Sequence, residues 1–117
     1  MGLDYGLLSE INPARILVSI SGFGSFGPYA KKLCFYAVAQ GMSGGMSYTG
    51  LSLGNPPTRA AVPYVDFSSG IYGALDAMFA LYYREKTVKD QMVDVALLDA
   101  AISFFAGMGV AAEYKLL

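Results

Sequence analysis

The spacing of hydrophobic residues changes along the chain and predicts strands alternating with helices. Residues 16–20, Ile-Leu-Val-Ser-Ile, form a nearly continuous apolar run, typical of a parallel strand that is buried on both faces. Residues 91–96 alternate apolar and polar positions and predict a second strand. Between the two strands, helical spacing predicts a long helix from Asp66 to about Lys86. Its large apolar residues share one face: Ile71, Leu75, Met78, Phe79 and Tyr82.

Three further helices are predicted, and together with the strands they define the fold class. They cover residues 4–10, residues 33 to about 46 with glycine interruptions, and residues 98–114. The last is apolar almost all round, which indicates a buried helix. The order helix, strand, helix, helix, strand, helix predicts an α/β fold that is rich in helix and has few strands. Because two strands make a poor sheet alone, we expect structure to be missing or supplied from elsewhere.

The composition indicates more apolar surface than one small core can bury. The chain has 117 residues, which suits one small domain, and it is 55% hydrophobic but only 15% charged. Soluble domains usually carry about a quarter charged residues. The excess predicts a partner surface, most simply another copy of the chain in a homo-oligomer. The formal charge of −1 gives no electrostatic footprint for nucleic acid.

The sequence lacks residues and segments that several classes of site and cellular location require. No apolar run reaches the roughly 20 residues that a membrane span needs, and no basic stretch precedes an apolar one as in a signal peptide. The single cysteine, Cys34, excludes an internal disulfide, so the cytoplasm is the expected compartment. The absence of histidine removes Ser-His and Cys-His nucleophiles and most zinc sites, and we expect no metal site. Cys34 lies in an apolar stretch and is interpreted as a small hydrophobic residue.

Residues 21–28, Ser-Gly-Phe-Gly-Ser-Phe-Gly-Pro, form a glycine loop after the first predicted strand. The loop matches G-x-G-x-x-G, but a dinucleotide fingerprint opens directly into a helix and has an acid about 20 residues on. Here Pro28 follows at once, and the residues near position 47 are Ser47 and Tyr48, which disfavours that interpretation. Two interpretations remain: a tight loop between elements, or a loop whose free N–H groups line a ligand site.

Asp66 stands where the long helix is predicted to begin. Asp before a helix is an ordinary N-cap, whose oxygen accepts a backbone N–H. A carboxylate at a helix N-terminus is also favoured by the helix dipole, and carboxylates serve as covalent nucleophiles. The sequence leaves both roles open.

Several segments together resemble the class III coenzyme A transferases, the family of formyl-CoA transferase, carnitine CoA-transferase and α-methylacyl-CoA racemase. The order and spacing of these segments hold over essentially the whole chain. They are Gly2-Leu3-Asp4-Tyr5, Ile11-Asn12-Pro13 with Arg15, Ser19 to Gly24 with Gly27-Pro28-Tyr29, Ala39-Gln40 with Ser43-Gly44, Pro56-Pro57-Thr58-Arg59, Val62-Pro63 through Asp66 and Gly70, Ala80-Leu81-Tyr82 with Arg84 and Thr87, Gln91 to Val95, and Leu97 to Ala100.

The resemblance implies a partial Rossmann-like large domain, and it implies roles for particular residues. Asp66 corresponds to the aspartate that attacks an acyl-CoA thioester to give a mixed anhydride; CoA thiolate then converts it to an aspartyl-CoA thioester, from which the acceptor acid takes the CoA. In the racemase branch the same aspartate moves a proton at the α-carbon. Ser21, Gly22, Phe23 and Gly24 would lie near the thioester, where glycine N–H groups approach a developing oxyanion closely. Acyl-CoA is then a substrate, and no tightly bound cofactor is expected.

The chain departs from the family pattern in three places. Tyr36 stands where the racemase has a histidine and formyl-CoA transferase a glutamate. The turn that usually reads Thr-Gly-x-Gly-Gln is Thr-Val-Lys-Asp-Gln at residues 87–91, without its glycines. Family members are several times longer, so residues 1–117 are interpreted as a single partial domain that lacks most of the CoA site. Two alternatives follow: a catalytically inactive, self-associating or partner-binding module, and a subunit that completes a site with another chain.

Overall fold

The structure is a computed structural model, and it describes residues 5–49 and 55–106. It contains α1 (Tyr5–Ile11), β1 (Ile16–Ser21), α2 (Tyr36–Met42), a single 3-10 turn (Gly45–Ser47), α3 (Tyr64–Thr87), β2 (Gln91–Ala96) and α4 (Leu97–Ala106). This order confirms the α/β class, rich in helix with few strands. Asp4, part of the predicted loop after Thr49 and the C-terminal half of the last predicted helix lie outside the described residues.

The two strands pair in parallel. The sequence predicted a parallel strand at residues 16–20 but did not identify its partner. The register of the two strands runs from Ile16 opposite Gln91 to Ser21 opposite Ala96. Parallel strands need a long crossover connection, and here the crossover contains α2 and α3. Because both strands end at the same edge, the glycine loop after β1 lies beside the junction of β2 and α4.

α3 packs against the sheet through its small residues. Gly73 is buried, and a Cβ atom there would lie 3.0 Å from Cδ1 of Ile20, so a larger residue would require the Ile20 side chain to move. Ala80 joins Val93 and Val95 in a buried cluster. The strand was expected to be buried on both faces, and this was wrong: Ile20 is 47% exposed, because two strands under one helix leave much of the sheet uncovered.

The large apolar residues of α3 lie on the surface of the described chain. We call these five the apolar stripe of α3: Ile71, Leu75, Met78, Phe79 and Tyr82. Each is at least 48% exposed, and Ile71 reaches 68%. The excess of apolar residues in the composition is therefore present as exposed surface.

A second buried cluster fixes where α3 begins. Ala39 of α2, Val65 of α3 and Ala101 of α4 have no exposed surface and contact one another. The predicted helix from Leu33 begins only at Tyr36, and the chain then turns through Gly44, whose φ is +81°. The three helices meet at this cluster, so the first turn of α3 has a fixed position.

α3 ends at a residue with an unfavourable backbone conformation. Val88 is the C-cap, with φ +57° and ψ +22°, and its N–H donates to the carbonyl of Arg84. Left-handed caps are usually glycine, because a Cβ atom costs about 1–2 kcal/mol there.

We expect Val88→Gly to stabilise the protein by about 1 kcal/mol, since it relieves the left-handed strain but gives the unfolded chain more freedom. Denaturant unfolding followed by circular dichroism measures the change. Val88→Ala is the matched control, because alanine keeps a Cβ atom and should gain much less. Equal stabilisation by both substitutions would contradict the explanation.

Candidate functional site

The glycine loop starts at the end of β1 and is held by hydrogen bonds within itself. Gly24 has φ +82°, a conformation that favours glycine, and its N–H donates to Oγ of Ser21 at 3.0 Å. The Ser21 hydroxyl can still donate its own proton. The next helix begins only at Tyr36, so the loop does not open into a helix as a dinucleotide fingerprint would.

The far side of the loop is fixed by the neighbouring strand. Asp94 of β2 accepts two hydrogen bonds from Ser25, at 2.7 Å from the backbone N–H and 2.9 Å from the hydroxyl. The N–H of Leu98 in α4 donates to the carbonyl of Gly22 at 3.1 Å. The loop is thus tied to both β2 and α4. Asp94 was not among the predicted site residues. An acid between two apolar residues of a predicted strand indicates a specific polar partner, and this pattern could have identified it.

Gly22 is packed directly against Cys34. A Cβ atom at position 22 would lie 2.1 Å from the Cβ atom of Cys34, so no other residue fits here without movement. Cys34 also packs on the buried cluster at the start of α3. This contact joins the glycine loop to the helix that carries Asp66.

Asp66 lies in the first turn of α3 and is exposed. The expected N-cap position was wrong, because α3 begins two residues before Asp66, at Tyr64, and the cap is Pro63 without a side-chain hydrogen bond. The helix closes its first turn through the N–H of Phe67 and the carbonyl of Pro63. The Asp66 carboxylate is therefore not needed as a cap, while it keeps the favourable position near the positive end of the helix dipole.

The segment that leads into α3 is held by two side chains of α2. The Tyr36 hydroxyl shares its one proton between the carbonyl oxygens of Val62 and Ala60, 2.8 Å and 3.0 Å away. The buried Gln40 accepts the N–H of Ala60 through Oε1 at 3.2 Å. In the sequence, Gln40 was one position of a matching segment and had no predicted role. Both residues hold the approach to the helix on which Asp66 lies.

The hydrogen bonds and the surroundings of the Tyr36 hydroxyl disfavour proton transfer. Burial raises the pKa of its hydroxyl, the Arg59 guanidinium near its ring lowers it, and the negative charge of Asp66 raises it. The balance leaves the pKa above its ordinary value. A phenol in this state, already bonded to two carbonyl oxygens, is a structural group.

Three features of its surroundings together shift the pKa of the Cys34 thiol above its ordinary value. Burial raises the thiol pKa, a backbone hydrogen bond involving Ala39 lowers it, and the Asp66 charge raises it. The thiol is half-buried, in line with its interpretation as a small hydrophobic residue. Cys34 contacts Gly22 and packs on the cluster that contains Val65, the residue before Asp66.

We expect the alkylation rate of Cys34 to rise at a higher pH than that of a free cysteine, because the thiolate forms in quantity only near and above the raised pKa. Asp66→Asn should move the profile towards lower pH by removing one cause of the rise. Iodoacetamide labelling followed by mass spectrometry measures the profile. Asp76→Asn removes the same charge further along α3 and is the control. A profile that Asp66→Asn leaves in place would contradict the proximity of the two groups.

A surface cleft of about 260 Å³ lies elsewhere on the described chain. It is lined by residues of α3, β2 and α4, including Tyr72, Asp76, Asp94, Asp99 and Ser103, and Asp66 is not among them. The Tyr72 and Ser103 hydroxyls are hydrogen-bonded to each other at 2.9 Å. The cleft meets the glycine loop at Asp94 and Ala96, which both lie beside Gly24.

Within residues 5–49 and 55–106, no group of acidic and cysteine side chains has an arrangement that would hold a metal ion. Across the same residues, none of the helices combines the length and hydrophobicity of a membrane-spanning helix.

Comparison with known proteins gives consistent matches. The sequence profile described as CoA-transferase family III matches residues 1–115. The chain is 39% identical over 109 residues to a succinate–glutarate CoA-transferase of Agrobacterium fabrum, covering 93% of this chain and 27% of that protein. It is 33% identical over 99 residues to the beta subunit of a succinyl-CoA–L-malate CoA-transferase of Chloroflexus aurantiacus, covering 85% of this chain and 24% of that protein.

The structural comparison agrees. A CaiB/BaiF family protein from Brucella suis superposes with a TM-score of 0.89 at 37% identity, over 98% of this chain and 30% of that one. The chain spans about a quarter of the length of the curated relatives that it matches.

Proposed function

Because this chain belongs to CoA-transferase family III, we propose that it carries the acyl-accepting part of an active site that transfers CoA from an acyl-CoA to a carboxylic acid, with Asp66 as the nucleophile. The main support is one arrangement: Asp66 is exposed on the first turn of a helix whose start is fixed by the buried Val65, and Cys34 connects it to Gly22 of the glycine loop. Carboxylates act as covalent nucleophiles when they are held in place beside a bound substrate.

The proposed reaction consists of four exchanges at the carboxylate. An Asp66 oxygen attacks the thioester carbonyl, and the C–S bond breaks. CoA departs as the thiolate, and a mixed anhydride between Asp66 and the acyl group is formed. The thiolate attacks the aspartyl carbonyl and releases the donor acid, which gives an aspartyl-CoA thioester. The acceptor carboxylate then attacks this carbonyl, releases the thiolate and forms a second anhydride. Attack of the thiolate on the acceptor's carbonyl gives the new acyl-CoA and restores Asp66, with no net gain or loss of protons.

The glycine loop is proposed to receive the carbonyl oxygen on which negative charge develops. The N–H groups of Gly24 and Ser25 are engaged within the loop and by Asp94. The proposed oxyanion donors are therefore the N–H groups of Gly22 and Phe23 and the hydroxyl of Ser21. Preorganised donors of this kind stabilise an oxyanion without reorganising during the reaction. No tightly bound cofactor is required, and a cytoplasmic location remains the expectation from the single cysteine.

Incubation of the full chain with succinyl-CoA tests the proposal. A hydroxylamine-sensitive mass adduct on the tryptic peptide that contains Asp66 is the expected result. Failure to form any adduct at a large excess of thioester, with the protein folded by circular dichroism, would count against it.

A second candidate is favoured by the apolar stripe of α3. Exposed apolar patches of this kind mark interaction surfaces. In this candidate the chain is a catalytically inactive module that associates with itself or with a partner, or it completes a site together with another chain. Analytical ultracentrifugation separates the outcomes: a folded monomer at micromolar concentration would contradict self-association, and an oligomer without an adduct would favour the inactive module.

A further inference from the structure

Asp94 makes contacts that its position in the sequence does not explain. It is a half-buried acid in β2, opposite Ser19 in the sheet and between the buried Val93 and Val95. Both of its oxygens are used by one residue of the glycine loop: Oδ2 accepts the Ser25 N–H at 2.7 Å, and Oδ1 accepts the Ser25 hydroxyl at 2.9 Å. Ser25 lies 69 positions from Asp94 in the chain, so these two hydrogen bonds are a tertiary contact between the loop and β2.

These two bonds set the course of the loop between Ser21 and Ser25. Ser21 is fixed in β1, and its hydroxyl accepts the Gly24 N–H. Gly24 has φ +82° and lies beside Asp94, where a Cβ atom would be in van der Waals contact with Oδ2 at 3.4 Å. The loop is thus held at both ends, on β1 by the chain itself and on β2 by Asp94.

We propose that Asp94 is a positioning residue, which holds the glycine loop so that the N–H groups of Gly22 and Phe23 keep a fixed direction towards an acyl carbonyl. The proposal rests on the function proposed above for this loop. Oxyanion donors act only within a narrow range of distance and angle, and displacement by about 1 Å can cost roughly 100-fold in rate. Asp94 does not touch the reacting atoms and acts through Ser25.

The role of Asp94 depends on two hydrogen bonds to Ser25 rather than on charge. In Asp94→Asn, the amide oxygen can accept the Ser25 N–H, and the amide nitrogen can donate to the Ser25 hydroxyl, which accepts as readily as it donates. Asp94→Asn should therefore preserve the loop. Asp94→Ala removes both bonds, and Ser25→Ala removes only the bond from the hydroxyl.

Amide hydrogen exchange of the full chain, measured by NMR, tests the positioning directly. Asp94→Ala should speed exchange at Ser25 about tenfold, since the lost bond is charge-assisted but partly solvated, and leave the amides of β1 unchanged. Asp94→Asn should restore the slow exchange. Asp76→Ala, which removes another acid of the same cleft, should have no effect. Equal loosening of β1 and the loop, or no change at Ser25, would overturn the proposal.

Adduct formation with succinyl-CoA separates this inference from the function on which it rests. The expected result is an adduct that forms about tenfold more slowly in Asp94→Ala and is rescued in Asp94→Asn. If the adduct forms at the same rate while the loop loosens, Asp94 does not position the donors. If the unmodified chain forms no adduct, but the glycine loop exchanges faster in Asp94→Ala, the proposed function is wrong. The inference that Asp94 fixes the position of the loop is then still supported.

Discussion

Replacing Asp66 by asparagine is expected to abolish the hydroxylamine-sensitive adduct with succinyl-CoA, a loss of roughly thousandfold or more in the rate of its formation. The amide has nearly the same shape but cannot act as an anionic nucleophile. Because Asp66 is exposed and makes no N-cap bond, the substitution should leave the fold intact. Mass spectrometry over a time course, together with circular dichroism, measures both effects.

Two variants sharpen this prediction. Asp76→Asn removes the same charge from the same helix, ten positions along, and should form the adduct at the rate of the unmodified chain. Asp66→Glu keeps a carboxylate but moves it by one methylene, and a slowing of about 100-fold is expected from displacement alone. An adduct that persists in Asp66→Asn would place the nucleophile elsewhere and end the proposal for this residue.

Replacing Gly22 by alanine is expected to destabilise the protein by about 3 kcal/mol or more, as severe overpacking does. The new Cβ atom would lie 2.1 Å from the Cβ atom of Cys34 and 3.1 Å from its Cα atom, so backbone as well as side chain must move. For a chain of this size, such a loss lowers the melting temperature by about 10 °C or more. The contact joins the glycine loop to the start of α3, so adduct formation should fall as well.

A double-mutant cycle identifies the clash. Cys34→Gly removes both the Cβ atom at 2.1 Å and the Sγ atom at 3.0 Å, so it should recover much of the stability that Gly22→Ala loses. Cys34→Ala keeps the Cβ atom and should recover little. Equal recovery by both variants, measured by thermal unfolding, would show that the sulfur rather than the Cβ atom causes the strain.

The local patterns of the sequence predicted the elements well. β2 occupies residues 91–96, as its alternation indicated, and β1 extends the predicted run by one residue to Ser21. Boundaries were less secure where capping decides them: α3 begins at Tyr64 because Pro63 takes the cap position, so Asp66 is not the N-cap. The order and spacing of short motifs also identified the family, which the comparison over residues 1–115 supports.

The sequence by itself determined the element order and the residues that resemble a catalytic aspartate and its glycine loop, because helical and strand periodicity and turn residues act over short distances. Only the tertiary structure decided that β1 pairs with β2, that α3 turns Gly73 and Ala80 to the sheet and leaves its apolar stripe exposed, that Cys34 fills the space beside Gly22, and that Asp94 holds Ser25. These contacts join residues far apart in the chain. Their geometry depends on how whole elements pack, which no local pattern records.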